Sequence, residues 1–267
     1  MNLINGKAGS SIKIFDRGFL YGDAIFETIL VKDKRPRNLK LHLERLNKGI
    51  KNLKIKNFNK NLLQAQIKKA LKDQKNCILG INISRGVAKK RGYDINLANT
   101  PNIIITTTTI PKYPNNYYTH GVNTKFSKIK LIKNFNLENI KHCNRIDNIL
   151  ATQEISKKYP EIILCDDKDN IIEGTASNIF FVKKNKLFTP KLTNIGIDGV
   201  MKNAIINILE KNKISIKSLD IKKNSINKFD AAFFCNSIRQ IWNIKSIDGI
   251  KYKKNTLIIK LQELLNE

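Results

Sequence analysis

Short β-rich runs separated by turn residues recur along this chain, and few stretches carry the period of a helix. That pattern confines it to a mixed fold built on sheets. Residues 3–15 read as a strand, a Gly-containing turn and a second strand. "AIFETILVKDKRPRNL" (24–39) alternates around its KDKR turn as a hairpin does. "LKLHLERLNKGIKNL" (39–53) sets Leu39, Leu43, Leu46, Ile50 and Leu53 at helical spacing. "NKNLLQAQIKKALKDQ" (59–74) is a second helix with Asn59 or Asn61 as its N-cap. "CILGINISRG" (77–86) and "NIIITTTTI" (102–110) are strands. The first half is therefore α+β.

"PKYPNNYYTHG" (111–121) breaks the pattern with two prolines, two asparagines and a glycine. It is the best linker candidate, and it gives two α+β domains over 1–112 and 121–267, joined by 113–120. Strands are expected near 122–127, 161–165, 176–183, 230–235 and 241–245. Helices are expected after Lys141, over 200–211 and over 255–265.

Bulk numbers remove several classes of function. A chain of 267 residues can bury a sizeable core. No run of about 18 apolar residues exists for a membrane span, and the N-terminus lacks the features of a signal peptide. The four cysteines (Cys77, Cys143, Cys165, Cys235) form no C-x-x-C pair, which reads as reduced thiols in a cytoplasmic protein without a zinc site. The net charge of +27 invites a polyanion partner. However, the lysines are spread throughout, and no zinc-finger, RNA-binding or basic-zipper signature accompanies them. No specific nucleic-acid or membrane partner is expected.

"IKHCNRIDNILA" (140–151) holds a lysine ahead of an apolar helical pattern, Ile146, Ile149, Leu150 and Ile155. At the start of a helix Lys141 would feel the positive end of the dipole, and its pKa would fall from about 10.4. A neutral amine can condense with an aldehyde and later act as a base. "DNIIEGTASNIFFV" (169–182) puts Glu173 at a strand end before a Gly-Thr-Ala-Ser turn. "TPKLTNIGIDGVMKNAII" (189–206) runs through two glycines into a helix whose first amides, at Val200 and Met201, suit a phosphate. "FFCNSIRQIWNI" (233–244) offers Asn236 and Ser237 as further donors. A lysine, an acid for a ring nitrogen and a phosphate cup are what pyridoxal 5'-phosphate requires of a protein.

On these residues the chain resembles the fold-type IV pyridoxal-phosphate enzymes. That family holds the branched-chain and D-amino-acid aminotransferases and 4-amino-4-deoxychorismate lyase. The resemblance runs in order through "DRGFLYGDAIFETI", "HLERL", "SRGVAKKRGY", "IKHCNRIDNILA", "IIEGTASNIFFV", "TPKLTNIGIDGVMK" and "CNSIRQIW". It implies the two-domain D-amino-acid aminotransferase-like architecture with the cofactor in the interdomain cleft. It also implies a homodimer, in which Leu20 and Tyr21 help form the subunit boundary. Lys141, in the second domain, matches the Schiff-base lysine, and Glu173 matches the carboxylate on the pyridine nitrogen. Arg45 matches the arginine on the phosphate, which Val200, Met201 and Ser237 also serve.

"KHxNR", "SRG…RGY", the Cys235–Ser237 stretch and Met201 resemble the lyase branch, which yields 4-aminobenzoate and pyruvate for folate synthesis. A branched-chain or D-amino-acid aminotransferase is the alternative, and a basic nucleic-acid-binding protein that retains the fold is a remote one. A lyase substrate carries two carboxylates, for which Arg85, Arg91 and Arg239 are candidate forks, Tyr93 a hydroxyl donor, and Thr28 or Glu27 a neighbour of the cofactor face. His42 is expected as a packed or surface helix residue, and Cys143 as a small filler. Ala24, where the family usually has Gly, is tolerable at φ < 0. Lys202, in place of Arg, keeps a charge but loses the fork.

Overall fold

The computed structural model describes residues 1–137 and 139–265. The chain forms two compact units, one of Met1–Pro111 with Ile140–Asn144, the other of Lys112–Asn139 with Arg145–Glu267.

The first unit contains β1 (Asn2–Ile4), β2 (Lys7–Ala8), α1 (Arg17–Tyr21), β3 (Ala24–Lys32) and β4 (Arg35–Pro36), then α2 (Leu39–Asn52), α3 (Lys60–Leu71), β5 (Cys77–Ser84) and β6 (Asn102–Thr108). Its sheet has the order β2-β1-β6-β5-β3-β4. Alternation along β3 decides which residues meet the helices. Ile25, Glu27, Ile29 and Val31 are buried opposite Ile83, Ile81, Leu79 and Cys77. Phe26 and Thr28, opposite Asn82 and Gly80, share the half-buried face. α2 packs on β3, and α3 on β6 and β1. Each fully buried Ile of this face contributes roughly 2 kcal/mol. Asn59 caps α3, its side chain accepting from the Leu62 amide at 2.9 Å. Ala24 lies in β3 and is absent from the positive-φ residues, so its extra methyl group costs no backbone strain.

Buried Asp16 fixes the stretch before β3. It accepts from the Gly18 amide (2.8 Å), the Ser84 hydroxyl (2.6 Å) and the Asn102 amide group (2.7 Å), so α1 is tied to β5 and β6.

The second unit contains α4 (Asn116–Thr119), β7 (Val122–Thr124), β8 (Phe126–Leu131), α5 (Ile146–Thr152), β9 (Ile163–Asp166), β10 (Ile171–Gly174), β11 (Asn178–Lys183) and β12 (Lys186–Pro190). α6 (Val200–Lys211), β13 (Ile216–Leu219), β14 (Ala231–Asn236), β15 (Gln240–Ile247), β16 (Ile250–Lys251) and α7 (Thr256–Leu264) follow. A seven-stranded sheet runs β13-β12-β11-β14-β15-β16, with β7 also on β15, beside a three-stranded sheet β10-β9-β8. One core is built on Phe181, Phe234, Trp242 and their aliphatic neighbours, and a smaller one on Leu131, Ala151, Leu164, Ile172 and Ile195. No helix among the described residues is long and apolar enough to cross a membrane.

Three expectations change. Segment 113–120 is not a bare linker: it contains α4, and Tyr113, Tyr117 and Tyr118 set their rings against Trp242 at 5.0–6.3 Å. The segment carrying Lys141 groups with the first unit, not the second. The helix after Lys141 starts only at Ile146, and its apolar face is exposed (Ile146 65%, Ile149 56%), while Asn148 and Ala151 are buried.

Gly86 has φ +105, and a Cβ there would lie 1.8 Å from the Thr100 carbonyl oxygen. Backbone cannot retreat as a side chain can. Gly86→Ala is therefore expected to lower unfolding free energy by about 3 kcal/mol, read by urea denaturation. A loss below about 1 kcal/mol would contradict this close approach.

Candidate active site

Lys141 lies in an extended stretch held on β3. The Phe26 amide donates to the Lys141 carbonyl and the Cys143 amide to the Ala24 carbonyl, each at 2.9 Å, while His142 bridges to Ile25. This pairing keeps the segment out of α5. The helix-dipole route to a lowered lysine pKa therefore does not apply, because α5 begins five positions on (146 − 141) and the effect is confined to a helix's first turn. The Lys141 ammonium nitrogen sits 4.2 Å from the Phe26 ring centroid. Thr28 shares that face of β3, whereas Glu27 points to the other.

Glu27 meets α2 on its buried face. Its carboxylate takes Nε and Nη2 of Arg45 at 2.8 and 2.6 Å, and faces His42 Nδ1 at 2.6 Å. Burial pushes the Glu27 carboxyl up, but the bonds from Arg45 and His42 outweigh it, so Glu27 stays below the usual range. Burial also holds His42 below its ordinary value, against the pull of Glu27. His42 is a packed residue with a defined partner.

Arg85 does not fit the role of a substrate fork. It is 5% exposed and binds Asp23 through Nε (2.7 Å) and Nη2 (3.0 Å), and the Lys54 and Leu53 carbonyls at 3.1 and 2.6 Å. Arg17 binds the same Asp23 and the carbonyls of Gly92, Tyr93 and Asp94, so this cluster shapes the 85–94 loop. Arg91 is exposed, and Tyr93, 85% exposed, rests against the Tyr21 ring at 5.3 Å.

In the second unit Glu173 is 3% exposed on β10 and accepts from the Ile197 amide at 2.8 Å. The carbonyl of the same residue, Ile197, accepts from Asn178 Nδ2 at 2.9 Å. Two residues later Gly199 begins α6 with no side-chain cap. A Cβ at Gly199 would fall 1.7 Å from Asn178 Oδ1, so any other residue here would displace the Asn178 side chain. Val200 and Met201 bury their side chains (2% and 5% exposed) and can offer only backbone. Lys202 turns back to Asp198 at 3.1 Å, joined there by Asn203 at 3.0 Å. Asn139, two residues before Lys141 in the sequence, pairs with Ile197.

The β14–β15 turn is fixed by Asn236, whose Oδ1 accepts from the Ile238 and Arg239 amides (3.0 and 2.6 Å) and whose Nδ2 donates to the Ala176 carbonyl (2.9 Å). These bonds assign the Asn236 side chain to the turn, not to a ligand. Ser237 follows it, half-buried. Arg239 is not a substrate fork in this structure either: Nη1 meets the fully buried Glu161, and its guanidinium carbon lies 4.6 Å from the Trp242 centroid. Sequence reasoning missed Glu161, Asn178 and the pairing of Glu27. The only signal for Glu161 was an acid at the mouth of an apolar strand.

A family model described as "Amino-transferase class IV" matches residues 24–247. The chain is 28% identical to an aminodeoxychorismate lyase of Vibrio harveyi, over 98% of this chain and 97% of that protein. It is 25% identical to a D-alanine aminotransferase of Bacillus licheniformis, over 92% and 88%. The crystal structure of 4-amino-4-deoxychorismate lyase from Pseudomonas aeruginosa superposes with a TM-score of 0.95 at 27% identity, covering 100% of this chain and 98% of that one.

The depressed values of His42 and Glu27 fix the sign of a pH dependence. The unfolded chain binds protons more readily than the folded one, so stability rises with pH through this range. The His42 share is present above about pH 6.5 and is lost below it. The Glu27 share is lost as pH falls below about 4.5. In His42→Gln the slope of unfolding free energy between pH 6.5 and 5 should flatten, and an unchanged slope would refute the assignment.

Proposed function

The chain belongs to the amino-transferase class IV family, whose cofactor is pyridoxal 5'-phosphate, and from that premise we propose that it is the lyase acting on 4-amino-4-deoxychorismate. The products are 4-aminobenzoate and pyruvate, which places the reaction in folate synthesis. One observation carries the reading: the backbone of the single residue Ile197 orients the buried carboxylate of Glu173 and, through Asn178, braces the loop that enters α6. An acid for a ring nitrogen and an amide-lined end for a phosphate are thereby set by one loop.

The residues fit the cofactor. The N-cap residue of α6 is Gly199, which has no side chain to cap the first amides. The positive end of a helix favours the phosphate dianion there. Val200, Met201 and the Ser237 hydroxyl serve as its donors. Glu173, fixed by the Ile197 amide, holds the proton on the ring nitrogen. Arg45, which the family resemblance assigns to the phosphate, is held by Glu27.

When bound, the cofactor supplies an electron sink for the amine-bearing carbon of the substrate. The Lys141 amine anchors the cofactor. With the substrate bound, Lys141 would serve as the base that removes the proton from the ring carbon bearing the nitrogen. Breaking the C–O bond to the enolpyruvyl group makes the ring aromatic, and Lys141 returns a proton to the departing enolpyruvate. Arg91 and Tyr93, exposed on the 85–94 loop, are the remaining candidates for the substrate carboxylates, with Thr28 beside Phe26. The active species is proposed to be a homodimer.

Both branches of the family need the same lysine. "KHxNR", the Cys235–Ser237 stretch and the near-complete overlap with the Vibrio and Pseudomonas lyases support the lyase. Purified protein given enzymatically made 4-amino-4-deoxychorismate should release fluorescent 4-aminobenzoate and an equal amount of pyruvate. Lys141→Ala should lower the rate by roughly 10³-fold. Amino transfer to a keto acid without 4-aminobenzoate would give the aminotransferase reading instead.

A further inference from the structure

We propose that Glu161 is a positioning residue that locks the turn after Glu173 to the turn carrying Ser237, and so sets the ring-nitrogen acid and the phosphate hydroxyl at a fixed separation. This rests on the functional reading above. Glu161 is 0% exposed and lies just ahead of β9. One carboxylate oxygen accepts from the Thr175 amide (2.7 Å), the Ile162 amide (3.3 Å) and the Thr175 hydroxyl. The other takes Nη1 of Arg239. Thr175 belongs to the turn that follows Glu173, and Arg239 to the turn that follows Ser237.

The two turns stand at the same end of neighbouring strands, because β11 and β14 pair from Asn178 opposite Cys235. Strand pairing alone fixes their roots and leaves their tips free. Three further contacts close on the tips. Asn236 donates to Ala176 at 2.9 Å, Asn148 of α5 donates to the Thr175 carbonyl at 3.0 Å, and Arg239 packs between Trp242 (4.6 Å) and Tyr113 (5.5 Å). Among the described residues, Glu161 is the carboxyl side chain that bonds to both turns. A carboxylate withdrawn from water needs its cation, so Arg239 must stay on it and the second turn follows. Apart from the adjacent Ile162 amide, the side-chain bonds of Glu161 go to Thr175 and Arg239, in the turns beside Glu173 and Ser237. Its role is therefore to orient groups that act on the ligand.

The test titrates pyridoxal 5'-phosphate into apo-protein, followed by visible absorbance, for wild type, Glu161→Gln and Arg239→Lys. Hydrogen exchange of the 174–178 and 236–240 peptides is measured on the same samples. Loss of a hydrogen-bonded charge at this point is expected to raise the dissociation constant roughly ten- to a hundredfold in Glu161→Gln, with faster exchange in both turns and none added in α6. Arg239→Lys keeps the charge and loses the fork, so it should move both readouts in the same direction by less. It carries the test if Glu161→Gln does not fold. A folded variant that binds as tightly as wild type, or whose exchange quickens in one turn only, overturns the proposal. Wild-type protein that fails to bind the cofactor removes the functional reading itself, and this proposal with it.

Discussion

The second unit's candidate site depends on the backbone of one residue. Ile197 gives its N–H to Glu173 and its C=O to Asn178, and the chain then enters α6 through Gly199, where Asn178 leaves no space for a side chain. A buried carboxylate without donors would cost several kcal/mol and would tend to protonate. With the Ile197 amide on it, Glu173 has a fixed direction. At the start of α6 the N-cap residue is Gly199, which has no side chain to cap the first amides. Acid and anion end are thus coupled by backbone, which no surface substitution can easily undo.

Much of the fold was legible from the sequence because it is local. The alternation of β3 and β5, the span 200–211 of α6 and the Asn59 cap follow from periodicity and capping chemistry, which act over a few residues. Chemistry in order along the chain was legible too. Lysine, acid and glycine-flanked helix start were recognisable before any contact was known. What could not be read was pairing across long separations. Arg85 and Asp23 are 62 positions apart, and Arg239 and Glu161 are 78 apart. A guanidinium fork suits a substrate carboxylate and a protein carboxylate equally well, so the sequence alone gave no reason to prefer the internal partner. Lys141 was misplaced onto a helix for a related reason. Ile146, Ile149 and Leu150 have helical spacing, but a backbone ladder to Ala24 and Phe26 claims the residues before them.

The arginines therefore divide by the company they keep. Arg17, Arg85 and Arg239 are drawn inward onto acids and carbonyls, and they stiffen loops. Arg91 stays exposed. The dianionic substrate proposed above would need a fork that no internal acid has claimed. That moves attention from Arg85 and Arg239 to the surface of the 85–94 loop, which Arg17 braces from beneath through the carbonyls of Gly92, Tyr93 and Asp94.

With 49 basic residues against 22 acidic ones, a basic residue in this chain carries little information about function. The acids carry more. Asp16, Glu27, Glu161, Asp166 and Glu173 are each 3% exposed or less. Each is held by backbone amides, side chains or both: Asp16 ties α1 to β5 and β6, Glu27 aims Arg45, Glu161 joins two turns and Glu173 faces the α6 loop. Burying a carboxylate is costly unless several donors converge on it. A buried acid in a chain so rich in lysine therefore marks a place where the fold has concentrated its donors. By that reasoning an acid at the mouth of an apolar strand, such as Glu161, points to the site more directly than any of the arginines first considered for it.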